Sequence, residues 1–453
     1  MVPLFGVRGT FFHFIKNPFL TEESKSYQYL EDGLLIIENG KVKELGPFSE
    51  LKSKYQQIQI THYKTRLIIP GFVDTHVHYP QTGMIASYGK QLLEWLNAYT
   101  FPMESRFKEK AYAKKVASFF LDELLKNGTT TALIFATVHP ESVDAIFEEA
   151  DQREMRIIAG KVLMDRNEFV PKDLQDTPET ASHDTQSLIQ KWHGRKRLLY
   201  AITPRFAITS SEEQLERVGQ LKREYPEVYL QTHLAENQDE MKTVQRLYPK
   251  SKGYLDVYDR FRLLGPRSVF AHSIHLESHE FQRLSESHSS IAFCPTSNLF
   301  LGSGLFKIAQ ATTSQVPIKI GLGTDVGAGT SFSLLHTMSE AYKVCQLQKY
   351  SLSAFKAFYL STLGGAEALS LDRWIGNFLP GKEVDFVVLD LQSTGLQAFK
   401  MQASKEVLGE AFPESTSSQT LHDLLFTLMT LGDDRAVEAT YVCGQLAYQR
   451  KTS

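Results

Sequence analysis

Short runs of apolar residues bounded by polar ones recur along the whole chain, and their character changes near Pro70. Before it, VRGTFFHF, GLLIIENGKVKELGP and YKTRLIIPGFVD read as strands. Asn39-Gly40 lies between two apolar runs and predicts a two-residue hairpin turn, because both turn positions favour residues that tolerate positive φ. From Pro70 onward eight near-continuous apolar runs follow: RLIIPGFVD, TTTALIFAT, RIIAGKVL, RLLYAIT, VYLQTH, SVFAH, SIAFC and PIKIGLGTD. Most intervals hold a helix-like stretch, such as ESVDAIFEEADQR or SEEQLERVGQLKREY. Strands apolar throughout, alternating with helices, predict a parallel sheet covered on both faces, and eight such units predict an α/β fold of the (β/α)8 TIM-like barrel type.

Strand patterns return in GKEVDFVVLDL and AVEATYVCGQLAY. The expected organisation is therefore a barrel over residues 70–378 and a small β-sandwich domain built from both termini, 1–69 and 379–453. Gln392–Thr420, rich in Ser, Thr, Gln and Glu, reads as a surface excursion with some helix.

Composition narrows the function classes. The 453 residues are 42% hydrophobic, enough for a large core, and 49 basic against 52 acidic side chains leave a net charge of −3. Such a balance gives no field for steering nucleic acid. No run approaches 18 apolar residues, and the aromatic N-terminus lacks a basic start and a small-x-small cleavage site, so neither a membrane nor export is expected. The 3 cysteines, none in a CxxC pair, suggest reduced thiols and a cytoplasmic location. With 14 histidines, any metal site belongs among histidines and carboxylates.

His76 and His78 stand two apart at the end of the first barrel run, so on a strand they face the same way and can reach one ion. His233 ends VYLQTH, His272 ends SVFAH and Asp325 ends IKIGLGTD, all at the strand ends where barrel sites are built. Imidazoles with one carboxylate suit Zn²⁺ or Fe²⁺ better than Ca²⁺ or Mg²⁺. The other ten histidines, among them His13 and His422, read as structural. Glu236, three residues after His233, is placed to take a proton from water at the ion, or to stand as a favourable charge before a helix starting near Asn237. The glycines of GLGTDVG read as turn formers around Asp325, and Trp95 as a helix-packing residue with a place in a pocket wall as the alternative.

PGFVDTHVH, together with His233-x-x-Glu236, His272 and GLGTD, resembles the amidohydrolase superfamily. Within it, HYPQ (78–81), LLEWLNAYTFPME (92–104), TPRF (203–206), THLAEN (232–237) and GLGTDVGAG (321–329) are similar to blocks of the guanine deaminase family. The resemblance implies a metal-bearing barrel with a composite β-domain, in which His76, His78, His233 and Asp325 bind one Zn²⁺ per subunit, Fe²⁺ being the other ion these donors accept. It implies that Glu236 carries the proton from water to a ring nitrogen, that His272 hydrogen-bonds the water or the tetrahedral intermediate, and that Asp325 orients the nucleophile. Gln81, Arg205 and Phe206 match the guanine-binding positions, with His233 and Glu236 also beside the base. The implied reaction is attack at C2 of guanine giving xanthine and ammonia, a step of purine catabolism, in a homodimer. Dinuclear members carry a lysine on the fourth strand; LLYAITPRF has none, which favours a single ion. The competing readings are an aminohydrolase of another purine-like or triazine ring, and a non-catalytic scaffold, against which the retained ligand set argues.

Overall fold

In the computed structural model, residues 4–89, 91–313, 317–408 and 417–451 are described. Four strands come first: β1 (Phe5–Phe14), β2 (Tyr27–Glu38), β3 (Lys41–Pro47) and β4 (Gln59–Pro70). The barrel region holds β5 (Phe72–His78), β6 (Thr129–Phe135), β7 (Arg156–Gly160), the two-residue β8 (Val162–Leu163), β9 (Leu199–Pro204), β10 (Tyr229–Leu234), β11 (Ser268–His272), β12 (Ser290–Phe293) and β13 (Lys319–Leu322). The chain closes with β14 (Phe386–Asp390), β15 (Val437–Val442) and β16 (Gln445–Gln449).

Both ends of the chain share one seven-stranded sheet, ordered β16-β15-β14-β4-β1-β2-β3. In β2 the two-residue period sends Leu34 and Ile36 to one face, with Leu51 and Tyr55, and Leu35 and Ile37 to the other. The second face is closed as in a sandwich, because Leu35, Ile37 and Val42 join one apolar cluster with Val384, Phe386 and Tyr441. The hairpin turn falls where expected, with Asn39 at φ +52° and Gly40 at +74°.

Eight parallel strands form the barrel, in the order β5-β6-β7-β9-β10-β11-β12-β13, with β8 paired to β9 off that path. Two of the apolar runs divide. RLIIPGFVD contributes β4 to the small sheet and β5 to the barrel, and RIIAGKVL becomes β7 and β8. An apolar run buried on both faces carries no mark of which sheet it joins, so the division is invisible in the pattern. The first and last barrel strands meet through Thr75 Oγ1, which donates to Leu322 O at 3.0 Å, and through Asp325 N and His78 N, which donate to His76 O and Val326 O at 2.9 and 3.0 Å.

The GLGTDVG glycines act differently from expectation. The left-handed residue of that turn is Asp325 itself, at φ +51°. Gly323 instead allows close approach: a Cβ there would stand 2.8 Å from His76 Cβ and 2.9 Å from Cys294 Sγ.

Within 392–420 the chain forms the helix Gly395–Leu408; 409–416 lie outside the described residues, and Ser418–Leu431 is helical. That last helix packs on the barrel helices, with the Tyr342 and Phe426 rings 5.0 Å apart and Ala354 N donating to His422 Nε2 at 3.1 Å. His13 likewise pairs with Gln28 at 3.0 Å, so these two histidines have structural partners.

Candidate active site

Each residue singled out at a strand end arrives at the same end of the barrel. His76 and His78 lie at the end of β5, His233 near the end of β10, and His272 closes β11. Asp325 follows β13 by three residues, Arg205 and Phe206 follow β9, and Gln81 sits in the 3-10 turn Tyr79–Met84 after β5. One cavity is lined by His78, Gln81, Arg205, Phe206, His233, Glu236, His272 and Asp325, with Leu92, Trp95, Leu96, Leu301 and Ala328 as its apolar wall. Trp95 therefore does both things: it packs in the core and it lines the cavity, its Nε1 donating to Ser87 O at 3.1 Å.

The backbone here is held in uncommon conformations. Ala235, His272, Ser273 and Asp325 all have positive φ, from +51° to +71°. Such residues persist only where the surrounding structure over-determines them, and they aim the side chains of His272, Glu236 and Asp325 at one point.

The donor atoms converge tightly. His78 Nε2 lies 3.2 Å from His76 Nε2 and 3.2 Å from His233 Nε2, and Asp325 Oδ1 lies 3.2 and 3.3 Å from His76 and His78 Nε2. His233 Nδ1 faces Arg205 O at 2.7 Å, so its proton sits on Nδ1 and its Nε2 lone pair faces the cluster. Burial keeps the three imidazoles neutral: it lowers the His78 pKa to about 3, lowers His76 against the pull of Asp325, and holds His233 well below the usual range with His76 and His78 reinforcing it. For Asp325 burial acts to raise the pKa, yet the group lies well below the usual carboxylate range and stays anionic beside the three imidazoles.

Three lone pairs and a carboxylate oxygen in contact cannot satisfy one another; a cation at their centre can. Tetrahedral zinc, with Zn–N bonds of about 2.0–2.1 Å, separates its ligand atoms by about 3.3–3.4 Å. The observed separations fit that spacing, so His76, His78, His233 and Asp325 can hold such an ion. Lys161, just past β7, is committed to Asp176 at 2.6 and 2.7 Å, and β9 carries no lysine.

Beside this cluster, burial pushes the Glu236 carboxyl well above the carboxylate range, with Glu240 and Asp325 acting in the same direction. Its Oε1 receives Ser303 Oγ at 3.4 Å, and its Oε2 lies 3.4 Å from His272 Nε2. At the helix N-terminus it is Glu240 that bonds the backbone, its Oε2 accepting from Glu236 N and Asn237 N at 2.8 and 3.0 Å. Its signal in the sequence is the capping-box spacing Asn237-x-x-Glu240. Asn298, which nothing local in CPTSN marks, places its Oδ1 2.8 Å from His272 Nδ1. Below the ligands, Asp74 ties β5 to the residues after β13 by accepting from Thr324 N and Oγ1 at 3.1 and 2.5 Å; burial raises its pKa to about 6 despite these bonds.

Comparison with known proteins gives the same frame. Residues 67–447 match the amidohydrolase family. Guanine deaminase of Escherichia coli (strain K12) is 53% identical over 448 residues, covering 98% of each chain. The solved E. coli guanine deaminase superposes with a TM-score of 0.92 over 99% of this chain and 100% of that one, at 53% identity. Guanine deaminase from C. acetobutylicum, solved with guanine bound in its active site, is 30% identical, with a TM-score of 0.85 over 98% of this chain and 100% of that one.

Proposed function

The chain belongs to the guanine deaminases of the amidohydrolase family, and from that premise we propose that it hydrolyses guanine to xanthine and ammonia. The observation that carries the reading is the placement of Glu236, Gln81, Arg205 and Phe206 around one cavity that His78, His233 and Asp325 also line, with His76 in contact behind them. We infer that the resident ion is zinc, one per subunit, with ferrous iron acceptable to the same donors. When bound, the ion supplies Lewis-acid chemistry, lowering the pKa of a water at the site toward neutrality.

The protein groups do the rest. Glu236 takes a proton from the attacking water and passes it to the ring nitrogen beside C2, then carries the second proton, from the new C2 hydroxyl, to the departing amine. Water adds to C2, the C2–NH₂ bond breaks, and one water is consumed for each ammonia released. His272, with Nδ1 donating to Asn298 Oδ1, directs Nε2 at the same space and orients the water. Phe206 offers a ring face to the flat base, while Arg205 and Gln81 read its edge. The apolar wall of Leu92, Trp95, Leu96 and Leu301 excludes competing water.

The wider assignment follows the same kinship: a homodimer in the cytoplasm serving purine catabolism, with a barrel domain over 70–378 and a small domain from 1–69 and 379–453. Its three cysteines are free thiols, as a reducing compartment expects. The test is ammonia release by purified, metal-analysed protein from a panel of aminated rings including guanine, ammeline and pterins. Guanine is expected to be turned over; activity on another ring with guanine inert would overturn the substrate and leave the reaction class.

A further inference from the structure

Arg205 and Gln81 both rest on one residue outside the ligand and proton-transfer set. Glu104 ends the short helix Phe101–Glu104 and is completely buried, at 0% exposure. Its Oε1 and Oε2 lie 3.0 and 2.8 Å from Arg205 Nη1, and the Arg205 guanidinium sits 5.5 Å from the centre of the Phe101 ring in the same helix. Oε1 also accepts from Gln81 Nε2 at 3.4 Å, while Gln81 Oε1 accepts from Gly327 N at 3.3 Å.

These contacts decide what the cavity wall offers a ligand. A reversed Gln81 amide would set its oxygen against a carboxylate oxygen and its NH₂ against an N–H, so the orientation is chemically determined. With one lone pair of Gln81 Oε1 taken by Gly327 and one Nε2 hydrogen held toward Glu104, the amide keeps its second N–H to offer a ligand. With Arg205 Nη1 occupied by Glu104, its Nη2 and Nε remain without a partner among the described residues. The wall thus presents donors. It is also neutral overall, because the carboxylate cancels the guanidinium charge at 2.8 Å, deep below the surface.

Resting on the guanine reading above, we propose that Glu104 is a positioning residue for substrate specificity. It aims Arg205, fixes Gln81 as a donor, and makes this wall select an uncharged ring that presents acceptors: a carbonyl oxygen and an unprotonated ring nitrogen. A purine with an amine in place of the carbonyl sets donor against donor, and sites built on buried hydrogen bonds reject such mismatches strongly. An anionic ring finds no net positive charge to repay its desolvation.

The test is steady-state kinetics of the metal-loaded enzyme and its E104Q, E104D, R205K and E104Q/R205K variants, with adenine as a competing ligand. E104Q should raise KM for guanine roughly 10- to 100-fold while kcat changes far less, as expected for loss of uniform binding. E104D, which keeps the charge, should recover part of the loss. The double variant should cost less than the product of the single effects, because both remove one interaction. The ratio of adenine Ki to guanine KM should narrow in E104Q, a readout that a purely structural ion pair would not move. An E104Q enzyme with native KM, strictly multiplicative effects, or an unchanged adenine ratio each overturns the proposal. Should E104Q not accumulate, E104D with R205K carries the same cycle. Guanine inert with the unmodified enzyme would instead overturn the function above, and the cycle is then read with whichever ring releases ammonia.

Discussion

The carbonyl oxygen of Arg205 lies 2.7 Å from Nδ1 of His233. One residue thus serves two parts of the site: its side chain faces the cavity, and its backbone sets which nitrogen of His233 is free to face the histidine cluster. His233 N also donates to that carbonyl, at 3.1 Å, so the turn after β9 and the end of β10 are locked together.

Because this link runs through the backbone, replacing the Arg205 side chain leaves it intact. A triple change of Gln81, Arg205 and Phe206 to Ala should abolish guanine turnover while metal content, measured by atomic emission, stays near that of the unmodified protein. Persistent guanine turnover would remove these residues from the binding site.

Glu236→Gln keeps the shape of the side chain and removes its ability to carry a proton. Turnover should fall by roughly 10²–10⁴-fold, the range for loss of a general acid–base group, with the metal retained. Residual activity near the native value would assign proton transfer elsewhere.

Removal of the ion leaves three neutral imidazole nitrogens and the Asp325 carboxylate in contact without their common partner. Chelation should therefore lower both activity and Tm, and added zinc should restore both. At free zinc about 100 times its dissociation constant the stabilisation lost is about 2.7 kcal/mol. Unchanged melting after verified metal loss would separate the cluster from any resident ion.

A methyl group at position 323 has nowhere to go, since it would meet His76 Cβ at 2.8 Å and Cys294 Sγ at 2.9 Å. Gly323→Ala should displace His76, reduce metal content and cost roughly 1–3 kcal/mol, as overpacking does. Full metal occupancy at native stability would show that the strand ends shift freely.

At the opposite end of the barrel, Glu383 accepts from Arg197 at 2.8 Å and is also hydrogen-bonded by Arg156, and Arg197 reaches on to Asp385. Burial acts to raise the Glu383 pKa, but Arg197 and Arg156 outweigh it and hold it below the usual 4.5. On acidification the unfolded chain is protonated there first, so the stability this group adds is whole above about pH 4.5 and is lost as pH falls through the lower folded value. Glu383→Gln should cost roughly 3 kcal/mol at neutral pH, because two buried cations lose a partner. Urea midpoints should then converge with those of the unmodified protein as pH falls toward 3; parallel curves would show that another group sets the acid limit.

Much of this protein was legible in local pattern. A two-residue spacing on a strand suffices to place His76 and His78 together, and a histidine or aspartate closing an apolar run suffices to place His233, His272 and Asp325 at the mouth of a barrel. The capping box at Asn237 and Glu240 and the Asn39-Gly40 hairpin are equally local, since each depends on dihedral preferences and hydrogen bonds within a few residues. Tertiary structure decided the rest. Glu104 and Arg205 are 101 residues apart and Asp74 and Thr324 are 250 apart, and their pairing exists only because the barrel closes. The role of Gly323 depends likewise on His76, brought against it from the other end of the barrel. The amino-acid order determined the fold class and which residues meet at the barrel mouth. The closing of strand against strand determined which buried partner orients each of them, because a buried charge or lone pair is satisfied by whatever the packing brings within 3 Å, however far away it is in the chain.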